Sequence, residues 1–568
     1  MSIKTLLPKS ILFCFFQLTF IITFAQKPKV NNEFNHQDTL RGSIGTGRMK
    51  WNILHYEITV QPDIQSKTIA GKNTISFKDS GVKLMQIDLQ QPMLIDSIND
   101  HQQSYSFKRE GNVYWVNMSN NLSTLNNPQT KSITIFFHGK PKEALRPPWD
   151  GGWIWEKDIN GNPWISVACQ GLGASVWYPC KDTQADEPDS GCKLNIIVPD
   201  SLTAIGNGRL KNVKKINNGL SMYSWEVKSP INNYTIVPYI GKYKHFSEIY
   251  NGLNGDLNMD YWVLDYNLEK AKHQFKDAPR MIKAFEYWFG PFPFYEDGYK
   301  LVEAPFLGME HQSAIAYGND FENGYLGTDL SGTGWGLKWD FIIVHESGHE
   351  WFANNITTAD IADMWVHEGF TNYSEVLFTE FYYGKTAADT YNKGLRDRIG
   401  NDNPIIALYG VNKEGSGDMY YKGCNLIHTI RQIINDDEKF RAILIGLNKT
   451  FYHSIVTTKD VENYISKESG INFSSIFNEY LRTIKIPVLE YYFSKNNFYY
   501  RWTNTVSNFK MPLKYTFGDS KTESWLNATN AWKSIKQKTP FSIATGKFIA
   551  NDNFYINTME IKKAVLVN

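Results

Sequence analysis

Four residues carry most of the chemical information in this 568-residue chain: His345, Glu346, His349 and, after eighteen intervening residues, Glu368. Two His four apart on a helix project from one face, so both imidazoles reach a single metal ion. A Glu between them then lies beside a metal-bound water as a general base. Glu368, brought in on the next helix, supplies a third protein ligand. Two His and one Glu leave one tetrahedral position open, which separates a catalytic zinc site from a structural one. The spacing therefore predicts one Zn2+ per chain, held by His345, His349 and Glu368, and a metal-assisted hydrolysis with Glu346 as base.

Positioning these side chains requires buried helices. Residues 338–354 read as one helix, with Phe341, Val344, Trp351 and Phe352 marking it as largely buried. Two His and a Glu buried there without a ligand would be costly. Gly348 costs about 1 kcal/mol against Ala in mid-helix, and it reads either as a close approach of a neighbouring element or as an idle position. Residues 365–382 form the second helix. His367 is adjacent to Glu368, and neighbours on a helix point about 100° apart, so it reads as structural. Hydrolysis also needs a donor for the oxyanion. Tyr420, at the start of a helix in GDMYYKGC, is the candidate, although one Tyr among 32 says little by itself.

The surrounding chain is multidomain α+β. From Arg48 to Tyr243, short alternating runs such as HYEITVQPDI, KSITIFFHG and KLNIIVP indicate an N-terminal β-sandwich, bounded at 48–245. A mainly helical domain follows at 246–486, with helices near 268–290, 387–399, 420–434, 437–448, 458–468 and 474–482 and a strand at 300–303. After Pro487 strands return, giving a small C-terminal β-domain at 487–568. Net charge is +1 without long runs of one sign, which points away from nucleic acid and anionic membrane surfaces. Lys4 and Lys9, the apolar stretch 11–24 and the small residues before Gln26 form a signal-peptide pattern over 1–25. The stretch is short for a membrane span; the expectation is export, to a periplasm or out of the cell, with residues 26–47 a flexible polar tail. Cys169, Cys180, Cys192 and Cys424 are too few and too unevenly spaced for a disulfide scaffold. Cys180 and Cys192 are compatible with a bridge or with two buried free thiols. Whether the chain is a monomer or homodimer is not legible.

Further runs of residues match a family. H-E-x-x-H, eighteen residues and Glu resembles the M1 metallopeptidases, the gluzincin aminopeptidases. WVHEGFTNYSE resembles that family's W-x-N-E-G-F-x-x-Y-x-E, with His367 in place of Asn. Gly308-Met309-Glu310-His311 resembles its G-x-M-E-N run, and Tyr420-Tyr421-Lys422-Gly423 its Y-x-K-G run. CQGLGASVWYPCKDTQADEPD resembles the N-domain run that carries a Gln or Glu near the substrate amino terminus. The resemblance spans residues 48–491 and implies a thermolysin-like catalytic domain. It implies that Glu310, helped by Gln170 and flanked by Gly308 and Met309, binds the free α-amino group of a peptide, and that Tyr420 donates to the oxyanion. Tyr421 competes for that last role. Glu375, seven residues beyond Glu368, is a candidate to orient a ligand. His311 stands where the family has Asn and Leu307 where it often has Gly, and both are expected to reshape the first-residue pocket. Gln170 is neutral where many members have Glu. The reading is a zinc aminopeptidase acting on peptides with a free amino terminus. A zinc endopeptidase and a zinc-containing binding protein without turnover are the alternatives.

Overall fold

A computed structural model describes residues 34–100, 102–119, 123–216, 219–536 and 547–562. The expected signal peptide lies outside the described residues. Strand Trp51–Asp63 buries Ile53, Tyr56, Ile58 and Val60 on one face. It pairs antiparallel with Thr68–Asp79 and parallel with Cys192–Pro199, at the heart of a seven-stranded sheet. A four-stranded sheet carries Gly152–Lys157 and Pro163–Ala168, and a three-stranded sheet lies over Leu84–Asp88. The apolar faces of these sheets share one core, as the two-residue alternation predicts.

The catalytic part opens on a sheet. Hairpin Tyr243–Gly252 and Gly255–Leu264 leads into a five-stranded sheet completed by Tyr299–Glu303, Ile315–Tyr317 and the edge strand Gly308–Met309. The expected division between residues 245 and 246 therefore falls inside a strand. Helices Leu268–Gln274, Asp277–Phe289, Phe341–Gly348, Trp365–Tyr383, Lys385–Gly394, Tyr421–Ile434, Asp437–Thr450, Thr458–Ser469 and Ser474–Arg482 pack beside that sheet. The C-terminal strands form two small sheets, one built on Val488–Ser494 and one on Lys510–Phe517. Their buried residues, among them Leu489, Phe498 and Trp502, continue the core of the helical domain. Among the described residues no helix is long and apolar enough to cross a membrane. Cys169, Cys180, Cys192 and Cys424 are buried and free, so the Cys180–Cys192 bridge does not form.

The expected flexible tail over 26–47 is corrected where it is described. Asn35 and Asp38 form a reciprocal cap on helix His36–Gly42. Arg48 is fully buried, its Nη2 donating to Asp88 Oδ2 at 2.6 Å and its Nη1 to the carbonyls of Arg41 and Ser43. A buried guanidinium needs such partners, and they tie the arm down. The arm also reaches the helical domain, where the Asn412 N–H donates to the Asp38 carbonyl at 3.1 Å. Polar composition suggested a solvated tail because these partners are remote in sequence.

Candidate zinc centre

The Phe341–Gly348 helix is buried along its whole length. Its cap, Asp340, accepts from the Ile343 N–H, from Gln274 and from Tyr317, so the start of the helix is tied to two other elements. The helix does not run to Asn354 as the periodicity predicts. It ends at His349, and Phe352 and Ala353 leave helical geometry, Ala353 with φ 152°. That break turns the Phe352 carbonyl back to accept from His349 Nδ1 at 3.1 Å, and Thr371 Oγ1 stands at 3.1 Å from the same nitrogen. On the other imidazole, His345 Nδ1 donates to Glu375 Oε1 at 2.7 Å. Glu375 is itself held by Asn372 and Tyr391. With both Nδ1 positions occupied, both Nε2 atoms face Glu368.

The second helix, Trp365–Tyr383, brings Glu368 by close approach. A Cβ on Gly348 would stand 2.6 Å from Ser374 Oγ, and one on Gly369 would stand 3.3 Å from the Gly423 Cα. Small residues at these crossings let the Glu368 helix press against the histidine helix on one side and the Tyr420 segment on the other. Glu368 Oε2 lies 3.4 Å from His349 Nε2 and 3.7 Å from His345 Nε2. This oxygen is buried and lacks a hydrogen-bond partner. Two donors about 2.0–2.1 Å from a tetrahedral zinc stand roughly 3.3 Å apart, so the three atoms fit that ion. Burial pushes Glu368 upward, but the two facing imidazoles, His349 first, outweigh it and hold the carboxylate well below its usual range. His345, His349 and Glu368 would hold a metal dication here, and its charge would keep the carboxylate ionised.

Glu346 points to the other side of the metal position. A Cβ on Gly308 would be 2.9 Å from Glu346 Oε1, so the carboxylate lies against the edge strand. Burial pushes its pKa up to about 7. Glu310, at the end of the same strand, is buried and accepts from Gln170 Nε2 at 2.5 Å and from Tyr234 OH at 2.8 Å. Carboxylate oxygens of Glu310 and Glu346 and a ring nitrogen of His349 lie within 4.8 Å of one another. Tyr420 and Tyr421 both line the cavity, of about 380 Å3. The Tyr420 ring stacks 6.1 Å from that of His345. Burial raises its pKa, as do Glu368, Glu414, Glu310 and Glu346, which places the hydroxyl among the site carboxylates. For Tyr421, raised to about 12, burial comes first and Glu375 second.

Gln170, Gly308, Met309, Glu310, His345, Glu346, His349, Glu368 and Tyr420 all border one cavity. Leu307 does too, but His311 does not. It is buried, with Nδ1 2.6 Å from Tyr239 OH, and burial pushes its pKa down to about 3, so it shapes packing behind the strand rather than the first-residue pocket. His367 is structural: its Nε2 accepts from the Thr358 N–H at 2.9 Å. Tyr234, Glu414 and Trp149 belong to the site surroundings but carry no local signal. Tyr234 sits in a run that reads as a strand, NYTIVPYI; only its end, from Tyr239, is one, and Asn233–Thr235 form a short 3-10 turn capped by Asn232.

The family comparisons agree with this geometry. Residues 275–480 match the peptidase family M1 domain and residues 52–235 match the peptidase M1 N-terminal domain, more than half of the chain between them. Probable aminopeptidase 2 of Sulfurisphaera tokodaii is 24% identical over 439 residues, covering 71% of this chain and 53% of that protein. Aminopeptidase B of Rattus norvegicus is 24% identical over 350 residues, covering 56% and 50%. The chain spans about half the length of the curated relatives it matches. The crystal structure of an M1 zinc metallopeptidase from Deinococcus radiodurans shares the fold, with TM-score 0.64 and 18% identity over 78% of this chain and 95% of that one. With the His345, His349 and Glu368 donor set fitting zinc, the chain belongs to peptidase family M1.

Proposed function

We propose that the protein is a zinc-dependent aminopeptidase that removes single residues from peptides with a free amino terminus. One observation carries this reading: the Glu310 carboxylate, fixed by Gln170 and Tyr234, lies within 4.8 Å of both the base Glu346 and His349. A carboxylate at that distance holds a substrate ammonium one residue from the reacting carbonyl. Gln170 and Tyr234 stand at that carboxylate, where a longer amino-terminal extension would have to pass. That separates the reading from an endopeptidase, which needs an open path there.

The chemistry divides among named side chains. Zinc held by His345, His349 and Glu368 supplies Lewis acidity toward water and the scissile carbonyl. Glu346, lying against the edge strand beside His349, takes a proton from the attacking water and delivers it to the leaving amine. The Tyr420 hydroxyl, kept protonated by burial and by the surrounding carboxylates, donates to the developing oxyanion. Gln170 and Tyr234 each give Glu310 a hydrogen bond and so aim it at the ammonium. The test is turnover of a panel of aminoacyl-arylamides before and after chelation, with zinc restored afterwards. Loss and recovery of single-residue release support the reading, and activity indifferent to the chelator removes it. Export belongs to the same proposal, supported by Lys4, Lys9 and the apolar run over 11–24. An unprocessed amino terminus on protein taken from the producing cells would count against it.

A further inference from the structure

The two side chains that hold Glu310 are themselves held from behind. Gln170 opens a tight turn, closed by the Leu172 N–H on the Gln170 carbonyl and the Gly173 N–H on the Cys169 carbonyl, both at 2.6 Å. Gly171 has φ 67°, so the turn needs a left-handed residue directly after Gln170. These bonds set the shape of the turn but not its distance from the edge strand that carries Glu310.

The amino-terminal arm fixes that distance. Arg41 Nη2 donates to the Gly171 carbonyl at 2.9 Å, and Asn412 Nδ2, from the helical domain, reaches the same oxygen at 3.3 Å. A Cβ on Gly173 would stand 2.1 Å from Arg41 Nη2, so the guanidinium lies directly on the turn. Its Nε is 3.5 Å from Asp182 Oδ2. On the far side, a Cβ on Gly42 would stand 2.3 Å from the Val411 carbonyl carbon, so the arm presses on the helical domain as well. Arg41, Gly42, Gly171, Asn232, Tyr234 and Asn412 border one small cavity of about 50 Å3. The arm therefore stands behind both donors of the grip, Gln170 through Gly171, and Tyr234 with its capping residue Asn232.

A run of charge-assisted and backbone bonds joins the arm to the grip. Arg48 Nη2 donates to Asp88 Oδ2 at 2.6 Å, and its Nη1 donates to the Arg41 carbonyl at 2.7 Å. Arg41 passes the restraint to the Gly171 carbonyl, and Gln170 Nε2, one residue back, donates to Glu310 Oε1 at 2.5 Å. Hydrogen bonds with a charged donor are the stronger kind, so the turn is held more firmly than a loop that rests on water alone. Arg41 does not border the zinc cavity. The arm also lies ahead of the family-matched residues 52–235.

We infer that Arg41 is a positioning residue for the substrate amino terminus, and that residues 34–48 are a strap that sets where Gln170 stands relative to Glu310. Arg41 acts through the Gly171 carbonyl and touches neither the metal ligands nor the base. Its loss loosens the grip on the ammonium while the metal and the proton transfer stay in place. The inference rests on the aminopeptidase reading.

Spatial contact is not coupling, so the experiment is a double-mutant cycle in the full zinc-loaded chain: Arg41→Met, Gln170→Ala and the pair, with the free tripeptide Leu-Gly-Gly as substrate. Arg41→Met alone is expected to raise KM about three- to tenfold, with kcat and zinc content unchanged. In the Gln170→Ala background the same substitution should leave KM where it is. A KM untouched by Arg41→Met, or an equal rise in both backgrounds, overturns the inference. His36→Ala removes an exposed contact with Glu110 from the same arm helix and should not change KM; a rise there matching that of Arg41→Met would also overturn it. Hydrogen exchange separates the two levels. The Leu172 and Gly173 amides should exchange faster in Arg41→Met than in the wild type. Unchanged exchange overturns the strap whatever the kinetics show. Faster exchange in an enzyme that cleaves free and N-acetylated peptides alike overturns only the aminopeptidase reading.

Discussion

The metal end of the cavity and its amino-terminus end are held by different kinds of structure. His345, His349 and Glu368 come from two consecutive helices within 24 residues, and their orienting partners Glu375, Thr371 and Phe352 lie on or beside the same helices. The grip on Glu310 is assembled from Gln170 and Tyr234, which are 140 and 76 residues away in the chain and lie on turns of the N-terminal domain. The loop after Gln170 is steadied in turn by the amino-terminal arm, through Arg41 Nη2 to the Gly171 carbonyl at 2.9 Å. The difference teaches that the metal end depends on local helix packing, whereas the proposed grip on a substrate amino terminus depends on how the N-terminal turns meet the edge strand. Changes at the metal end should abolish chemistry, and changes at the other end should loosen substrate positioning while leaving the metal in place.

The largest effect is expected within the metal half. Glu346→Gln keeps the buried shape but removes the base, so kcat should fall by about 10²–10⁴-fold. Zinc content measured by atomic absorption should stay at one per chain. Loss of metal in that variant would mean Glu346 supports the ion rather than the proton transfer. Next comes Glu375→Ala, which strips the partner from His345 Nδ1. Zinc affinity should drop by about 10–100-fold, read by competition with a chelator, with activity restored by excess zinc. An unchanged affinity would show that the His345 ring is held by packing alone.

The smaller effect belongs to the other half. Tyr234→Phe deletes one hydrogen bond to the Glu310 carboxylate, worth about 1.5 kcal/mol at the lower end for a charged acceptor. KM for unblocked peptides should rise by about five- to twentyfold, with zinc content and the pH profile of kcat unchanged. A fall in zinc affinity instead would show that the two ends are not independent.

The same contrast explains what could be read from the sequence. The metal ligands, the base and Glu375 are legible because helical periodicity fixes their relative directions over short distances. Helices Trp365–Tyr383 and Ser474–Arg482 are legible for the same reason. The close approach expected of Gly348 is present, at the Ser374 and Thr371 side chains. The break after His349 is not legible, because Trp351 and Phe352 keep an apolar pattern whether or not the backbone stays helical. Hairpin Tyr243–Leu264 was placed across a boundary because its pairing with Tyr299–Glu303 spans a long loop. Tyr234 and the ordered arm depend on partners far along the chain, and neither has spacing to announce it. Glu310 and Gln170 were identifiable through family resemblance, while their hydrogen bond to each other required the fold.

The central claim is that Glu310 measures one residue from a charged amino terminus. The most direct test compares a free peptide with its N-acetylated twin in the wild type and in Glu310→Gln. The wild type should cleave the free peptide at least about a hundredfold more efficiently, because acetylation leaves a buried carboxylate unpaired. Glu310→Gln should shrink that preference severalfold or more, chiefly by raising KM for the free peptide. Equal cleavage of the two peptides by the wild type, or a preference untouched by Glu310→Gln, would contradict the account.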